Sequence, residues 1–115
     1  MTVEIYHNPR CMKSRQTLEL LQKKGIDPKI RLYLENPLSK KELEEVLKKL
    51  DIPATELLRT KEDVYKKLVA KEGKPNEKTA LDWISKNPVL MERPVVIKGN
   101  RAALGRPPEK VLKIL

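Results

Sequence analysis

The sequence predicts an α/β fold built on a small mixed sheet, and three observations predict it. A period-two apolar stretch is followed by a helical stretch and then by a second period-two stretch, the signature of a β-α-β unit. Helical segments fill the middle of the chain, and a strand pair returns near its end through Gly99-Asn100. The length, 115 residues, suits one domain with a core of its own.

Val3 and Ile5 alternate with Thr2, Glu4 and Tyr6, which marks a half-buried first strand. A helix is predicted from about Met12 to Lys24, with Leu18 and Leu21 on one face and Gly25 as its stop. Ile30, Leu32 and Leu34 alternate with Lys29, Arg31 and Tyr33 and read as a second strand. The crossover between the two strands is expected to be right-handed and the strands parallel. Asn36-Pro37 breaks the chain, and Ser39 with Glu42 then forms a capping box. The helix behind it carries Leu43, Val46, Leu47 and Leu50 at i, i+3, i+4 and i+7.

Short helical pieces are expected from Ala54 to Val69, with Leu57, Leu58, Val64 and Leu68 apolar, and a loop from Lys71 to Lys78 broken by Gly73 and Pro75. Asn76 can cap a helix that uses Ala80, Leu81, Trp83 and Ile84 and ends before Pro88. Val95-Val96-Ile97 is a continuous apolar strand, and Arg101 to Leu104 is its hairpin partner. Pro107-Pro108 opens a last helix with Val111, Leu112 and Leu115 inward. This order, β-α-β, helices, β-β-α, is that of a thioredoxin/glutaredoxin-like fold with a helical insertion at about residues 39–87 in a single domain, 1–115.

Charge narrows the partners. The formal charge is +9, from 25 Lys and Arg against 16 Asp and Glu. The lysines are interleaved with glutamates, as in Lys40-Lys41-Glu42-Leu43-Glu44-Glu45, a pattern of solvated helix faces with ion pairs. Aromatic residues are 3% of the chain, and Tyr6, Tyr33, Tyr65 and Trp83 are too dispersed for base stacking. Nucleic-acid binding is therefore not indicated, whereas small anions and acidic partners fit the charge. One cysteine and one histidine fall short of a zinc ligand set, so no metal is expected. With no membrane-length apolar run, no signal-peptide core and no internal disulfide, the expectation is a soluble cytoplasmic protein and a monomer.

Cys11 is the one thiol, in His7-Asn8-Pro9-Arg10-Cys11-Met12-Lys13-Ser14-Arg15, between the first strand and the first helix. A thiol at a helix N-terminus faces unpaired N–H groups and the positive end of the dipole, which favour its anion. Polar and basic flanks set this cysteine apart from an inert packing residue. The same amides suit an oxyanion. Ser14 stands where a Cys-x-x-Cys pair would place its second cysteine, so any resolving thiol comes from outside the chain. Asn8 suits a loop-shaping role. His7 reads either as a cation or donor beside the thiolate or as a structural histidine satisfied by backbone.

The segment Ile5 to Arg15 closely resembles the active-site loop of the glutaredoxin-coupled arsenate reductases. Leu57-Leu58-Arg59, Glu92-Arg93-Pro94-Val95-Val96 and Gly105-Arg106-Pro107 match further motifs of that family in order and spacing. The chain is similar to the compact members, which stop at the final helix. The resemblance implies that Cys11 is the nucleophile, that Arg59, Arg93 and Arg106 hold the oxyanion and that the Arg93-Pro94 bond is cis. It makes a role for His7 beside Cys11 plausible, and the loop near Ser14 and Arg15 would cradle oxygens. The implied substrate is arsenate or a similar oxyanion. No cofactor is expected to be bound; glutathione would be the co-substrate and glutaredoxin the partner. Two rivals share the fold: a monothiol, glutaredoxin-like thiol-transfer protein, and a regulator that binds RNA polymerase. The arginines favour an inorganic oxyanion over the first, and Ser14 removes the Cys-x-x-Cys switch common in redox-sensing versions of the second.

Overall fold

The β-α-β unit is formed by β1 (Val3–Tyr6), α1 (Met12–Lys23) and β2 (Lys29–Arg31). The structure, a computed structural model, describes residues 2–115. The chain divides into two units, one of Met1–Asn36 with Arg93–Leu115 and the other of Pro37–Glu92.

In the first unit, β3 (Val95–Lys98) and β4 (Arg101–Leu104) complete a mixed sheet of order β2-β1-β3-β4. β1 runs parallel to β2 and antiparallel to β3, and β3 pairs antiparallel with β4. Val3, Ile5, Leu21, Val96, Val111 and Ile114 are buried together, which ties α1 and the C-terminal segment to the sheet. Gly25 ends α1 at φ +76, a region where a residue without Cβ is unstrained.

Two expectations for this unit need correction. β2 is only three residues long rather than reaching Leu34, and Ile30, Leu32 and Leu34 are 47%, 37% and 43% exposed. The chain turns directly after the strand, where Glu35 N and Asn36 N both donate to Leu32 O at 3.0 and 2.9 Å. A short edge strand that turns at once cannot keep its alternation on one face, and Tyr33 is the residue that becomes buried. The last segment is a 3-10 helix, Pro108–Ile114, rather than an α-helix. At three residues per turn Val111 and Ile114 eclipse and both face inward, whereas Leu112, expected inward, is exposed.

The second unit is helical: α2 (Lys40–Leu50), α3 (Ala54–Leu57), α4 (Asp63–Glu72), α5 (Glu77–Lys86) and a 3-10 turn at Pro88–Leu90. The capping box is complete, since Ser39 Oγ accepts from Glu42 N at 3.2 Å and Glu42 Oε1 accepts from Ser39 N at 3.0 Å. Asn76 Oδ1 caps α5 by accepting from Thr79 N at 2.9 Å. α4 extends to Glu72, past the expected start of the loop at Lys71, and Gly73 stops it at φ +82. Leu43, Val46, Leu57, Ala80, Trp83, Ile84 and Leu90 are buried, and Tyr65 meets Trp83 edge to face at 6.1 Å. Among the described residues, no helix is long and apolar enough to cross a membrane.

Candidate active site around Cys11

Cys11 is the N-cap residue of α1, with extended backbone angles (φ −93°, ψ 123°) before a helix of 12 residues. Asn8 bonds to the loop that leads to it. Asn8 O accepts from Cys11 N at 3.0 Å, and Asn8 Oδ1 accepts from Arg10 N at 3.0 Å, a side-chain turn of the Asx kind. These bonds turn the chain sharply out of β1 and deliver the thiol to the open end of the helix.

The sulfur closes no regular capping bond, yet the N–H groups of Ser14 and Lys13 lie close enough to favour its anion. Partial burial pushes the Cys11 pKa up; the Ser14 amide, the hydrogen bond and charge of Arg93, and the Lys13 amide outweigh it. The net effect is a thiol held below the ordinary 9.0.

Arg93 arrives at this point through the sheet. It precedes a cis proline, Pro94, at the entrance to β3, as the resemblance implied. The antiparallel register sets Val95 opposite Leu104, so the segments flanking this end of the hairpin meet. Gly105 N donates to Pro94 O at 2.9 Å, and Arg106 Nη1 donates to Arg93 O at 3.1 Å. The Arg106-Pro107 bond is cis as well. Gly105 belongs to the Gly105-Arg106-Pro107 motif, and the reason for a glycine there is spatial. A Cβ at this position would run into Thr17 Oγ1 and approach Pro94 Cγ to 2.7 Å. The bare backbone is what lets β4, α1 and the Pro94 loop converge.

The remaining site candidates fall into different places. The Ser14 side chain is fully buried, with its hydroxyl 2.6 Å from His7 Nδ1 and accepting from Asn8 N at 3.0 Å. Only its amide faces the sulfur. The His7 ring meets this side chain through Nδ1, while His7 N donates to Arg31 O at 2.9 Å. Burial, then the charge of Arg15, lower its pKa from the ordinary 6.5, which disfavours the charged ring. Arg15 Nη1 donates to Pro9 O at 2.8 Å and braces the loop. Arg59 lies in the second unit, where its Nε meets Glu62 Oε1 and its Nη1 meets Glu92 Oε1, each at 3.2 Å. Its N–H donates to Leu90 O at 2.7 Å. The described residues contain no group of three or more metal-ligating side chains.

The first unit thus brings a thiol of lowered pKa together with first-turn amides and Arg93, with Arg106 bonded to Arg93 O, a combination suited to nucleophilic attack on a small oxyanion. The model of the ArsC family matches residues 6–114. An arsenate reductase of Haemophilus influenzae is 47% identical over 116 residues, covering all of both chains. The uncharacterized protein YfgD of Escherichia coli is also 47% identical, over 98% of this chain and 96% of its own. The solved structure of an arsenate reductase from Vibrio cholerae superposes with a TM-score of 0.93 at 40% identity, covering 100% of this chain and 98% of the other.

Proposed function

The chain belongs to the ArsC family, and from that premise we propose that it reduces arsenate to arsenite with Cys11 as nucleophile and with glutathione and glutaredoxin as electron donors. The observation that carries this reading is the Cys11 sulfur set against the Ser14 and Lys13 amides with the Arg93 guanidinium hydrogen-bonded to it.

The thiolate attacks arsenic, and one arsenate oxygen leaves as water with two protons, giving a Cys11 S–As(V) bond. Glutathione adds its sulfur to the same arsenic as a second oxygen leaves as water. A glutaredoxin thiolate then attacks the glutathione sulfur. The S–As electron pair stays on arsenic, which becomes As(III), and a glutaredoxin–glutathione disulfide departs. Water cleaves the remaining Cys11 S–As bond and releases arsenite and the free thiol. Arg93 and Arg106 hold the oxygens while negative charge develops; Arg59 enters this set from the family resemblance alone. Two electrons move, both from thiols outside the chain, because the chain has one cysteine. The cytoplasm, where thiols are kept reduced, is the setting that suits this donor pair.

Arsenate-dependent thiol consumption, followed with purified protein, glutathione and glutaredoxin, tests the reading. Consumption that requires arsenate and both donors supports it. Thiol transfer to a glutathionylated substrate without any arsenate turnover would sink it.

A further inference from the structure

Two segments flank the Cys11 loop at one end of the sheet. β1 pairs with β2 on one side and with β3 on the other, and Tyr6 at its end stands opposite both Arg31 and Val95. The chain that leaves β1 toward Cys11 therefore has the Arg93-Pro94 approach to β3 on one side and the turn after β2 on the other. The first side holds the linked pair of arginines. The second side holds a cleft of about 310 Å³, between His7 to Arg10 and the turn that carries Leu32, Leu34 and Glu35. All of these residues belong to the first unit. A cleft of this size suits a small organic molecule. Leu32 and Leu34, 37% and 43% exposed, give it an apolar wall, and the exposed Arg10 and Glu35 bring one charge of each sign. Backbone bonds fix both turns: Arg10 N donates to Asn8 Oδ1 and Glu35 N donates to Leu32 O, each at 3.0 Å. An inorganic anion would use the cation alone. A ligand that uses both charges and the wall has a carboxylate, an ammonium and a carbon chain.

We propose that this cleft seats glutathione on the β2 side of Cys11, with a carboxylate on Arg10, the ammonium on Glu35 and its carbon chain along Leu32 and Leu34. The seat rests on the reading that glutathione is the thiol that joins the reaction at Cys11. Approach from this side leaves Arg93 and Arg106 to the oxyanion, so the two reactants do not compete for the same cations.

Exchange with two disulfides tests the seat. The Cys11 thiolate attacks one sulfur of glutathione disulfide; a Cys11–glutathione S–S bond forms as the old S–S bond breaks, and a glutathione thiolate leaves. Bis(2-hydroxyethyl) disulfide undergoes the same exchange without charged ends and reports any general change in the thiol. Rates are followed by intact mass in the wild type, Arg10→Ala and Glu35→Gln, with far-UV dichroism as the check on folding. Each variant is expected to slow the glutathione reaction, relative to the uncharged disulfide, by about three- to tenfold, the scale of one charge pair with its hydrogen bond. Glu35→Gln decides. Glutathione disulfide is a net anion, so removing a negative charge would speed its reaction if bulk attraction governed, whereas removing the ammonium's partner slows it. An unchanged or faster ratio in Glu35→Gln would overturn the proposal. So would variants that slow only the removal of glutathione from Cys11 by glutaredoxin, which would put a protein in the cleft. The wild type supplies a second measurement. S-methylglutathione, which cannot exchange, is expected to shift the backbone amides of Leu32 to Glu35 more than those of Val95 and Arg106; the reverse order would put the peptide on the arginine side and overturn the seat. Neither measurement needs arsenate, so failure of the reductase reading and failure of the seat are seen separately.

Discussion

Cys11 combines access with activation. The residue is partly exposed, and the Ser14 and Lys13 amides with Arg93 lower its pKa against the opposing effect of burial. Cys11→Ser is expected to abolish arsenate turnover with the far-UV spectrum unchanged, since a serine hydroxyl is not ionised near neutral pH; turnover near wild type would remove Cys11 from its role. The second expectation concerns pH and His7. Its folded pKa lies below the ordinary 6.5, so the unfolded chain takes up a proton that the native protein refuses. The stability this contributes is fully present above 6.5 and falls as pH drops through the folded value. Chemical denaturation at a series of pH values between 7 and 5 is expected to show that loss, and His7→Gln to flatten it. The thiol and its helix N-terminus were legible in the sequence because they depend on local order. The His7–Ser14 bond was not, because it joins a strand exit to a helix seven residues on and leaves no periodic mark.

The elements read most accurately were those whose signals are carried by neighbours in the chain. The Ser39–Glu42 box and the Asn76 cap fall where the sequence put them, because a cap is decided by residues three apart. Ser39→Ala is accordingly expected to cost about 1 kcal/mol of stability, read from the denaturation midpoint at unchanged slope. The misread elements depend on what surrounds them. Alternation at Ile30, Leu32 and Leu34 says nothing of where a strand stops, and β2 stops after Arg31. Pro107-Pro108 announces a helix without specifying three residues per turn, and that choice moves Leu112 to the surface. Gly105 likewise depends on its surroundings, since its reason lies in Thr17 and Pro94. Gly105→Ala is expected to destabilise the protein by about 1–3 kcal/mol through overpacking and to disturb the Arg93–Arg106 contact. Reduced thermal stability together with weaker sulfate protection of Cys11 would show it.

At the scale of the whole molecule the arginines decide between an oxyanion enzyme and a general thiol carrier. Arg93 and Arg106 lie at one end of the β3–β4 pair and are linked through Arg93 O, whereas Arg101 lies at the hairpin end, donating to Lys113 O. A chain with a charge of +9 attracts anions broadly, and added salt screens that attraction with little regard to geometry. A preorganised pair of guanidinium groups is different, because its value lies in bidentate contact with charge that develops during reaction. Arg93→Ala and Arg106→Ala are therefore each expected to lower arsenate turnover by about a hundredfold or more. Arg93→Lys and Arg106→Lys, which preserve net charge, are expected to recover little of it, since an ammonium cannot reproduce the fork. Arg101→Ala removes the same single charge away from the thiol and is expected to leave turnover near wild type. Arg31 is a poorer control, because its guanidinium lies 5.7 Å from the centroid of the Tyr6 ring next to His7. Equal losses in Arg93→Ala and Arg101→Ala, or full rescue by lysine, would mean that bulk charge governs the reaction. The carried-over arginine roles would then be wrong, and Cys11 would serve as a thiol-transfer group on substrates without an inorganic oxyanion.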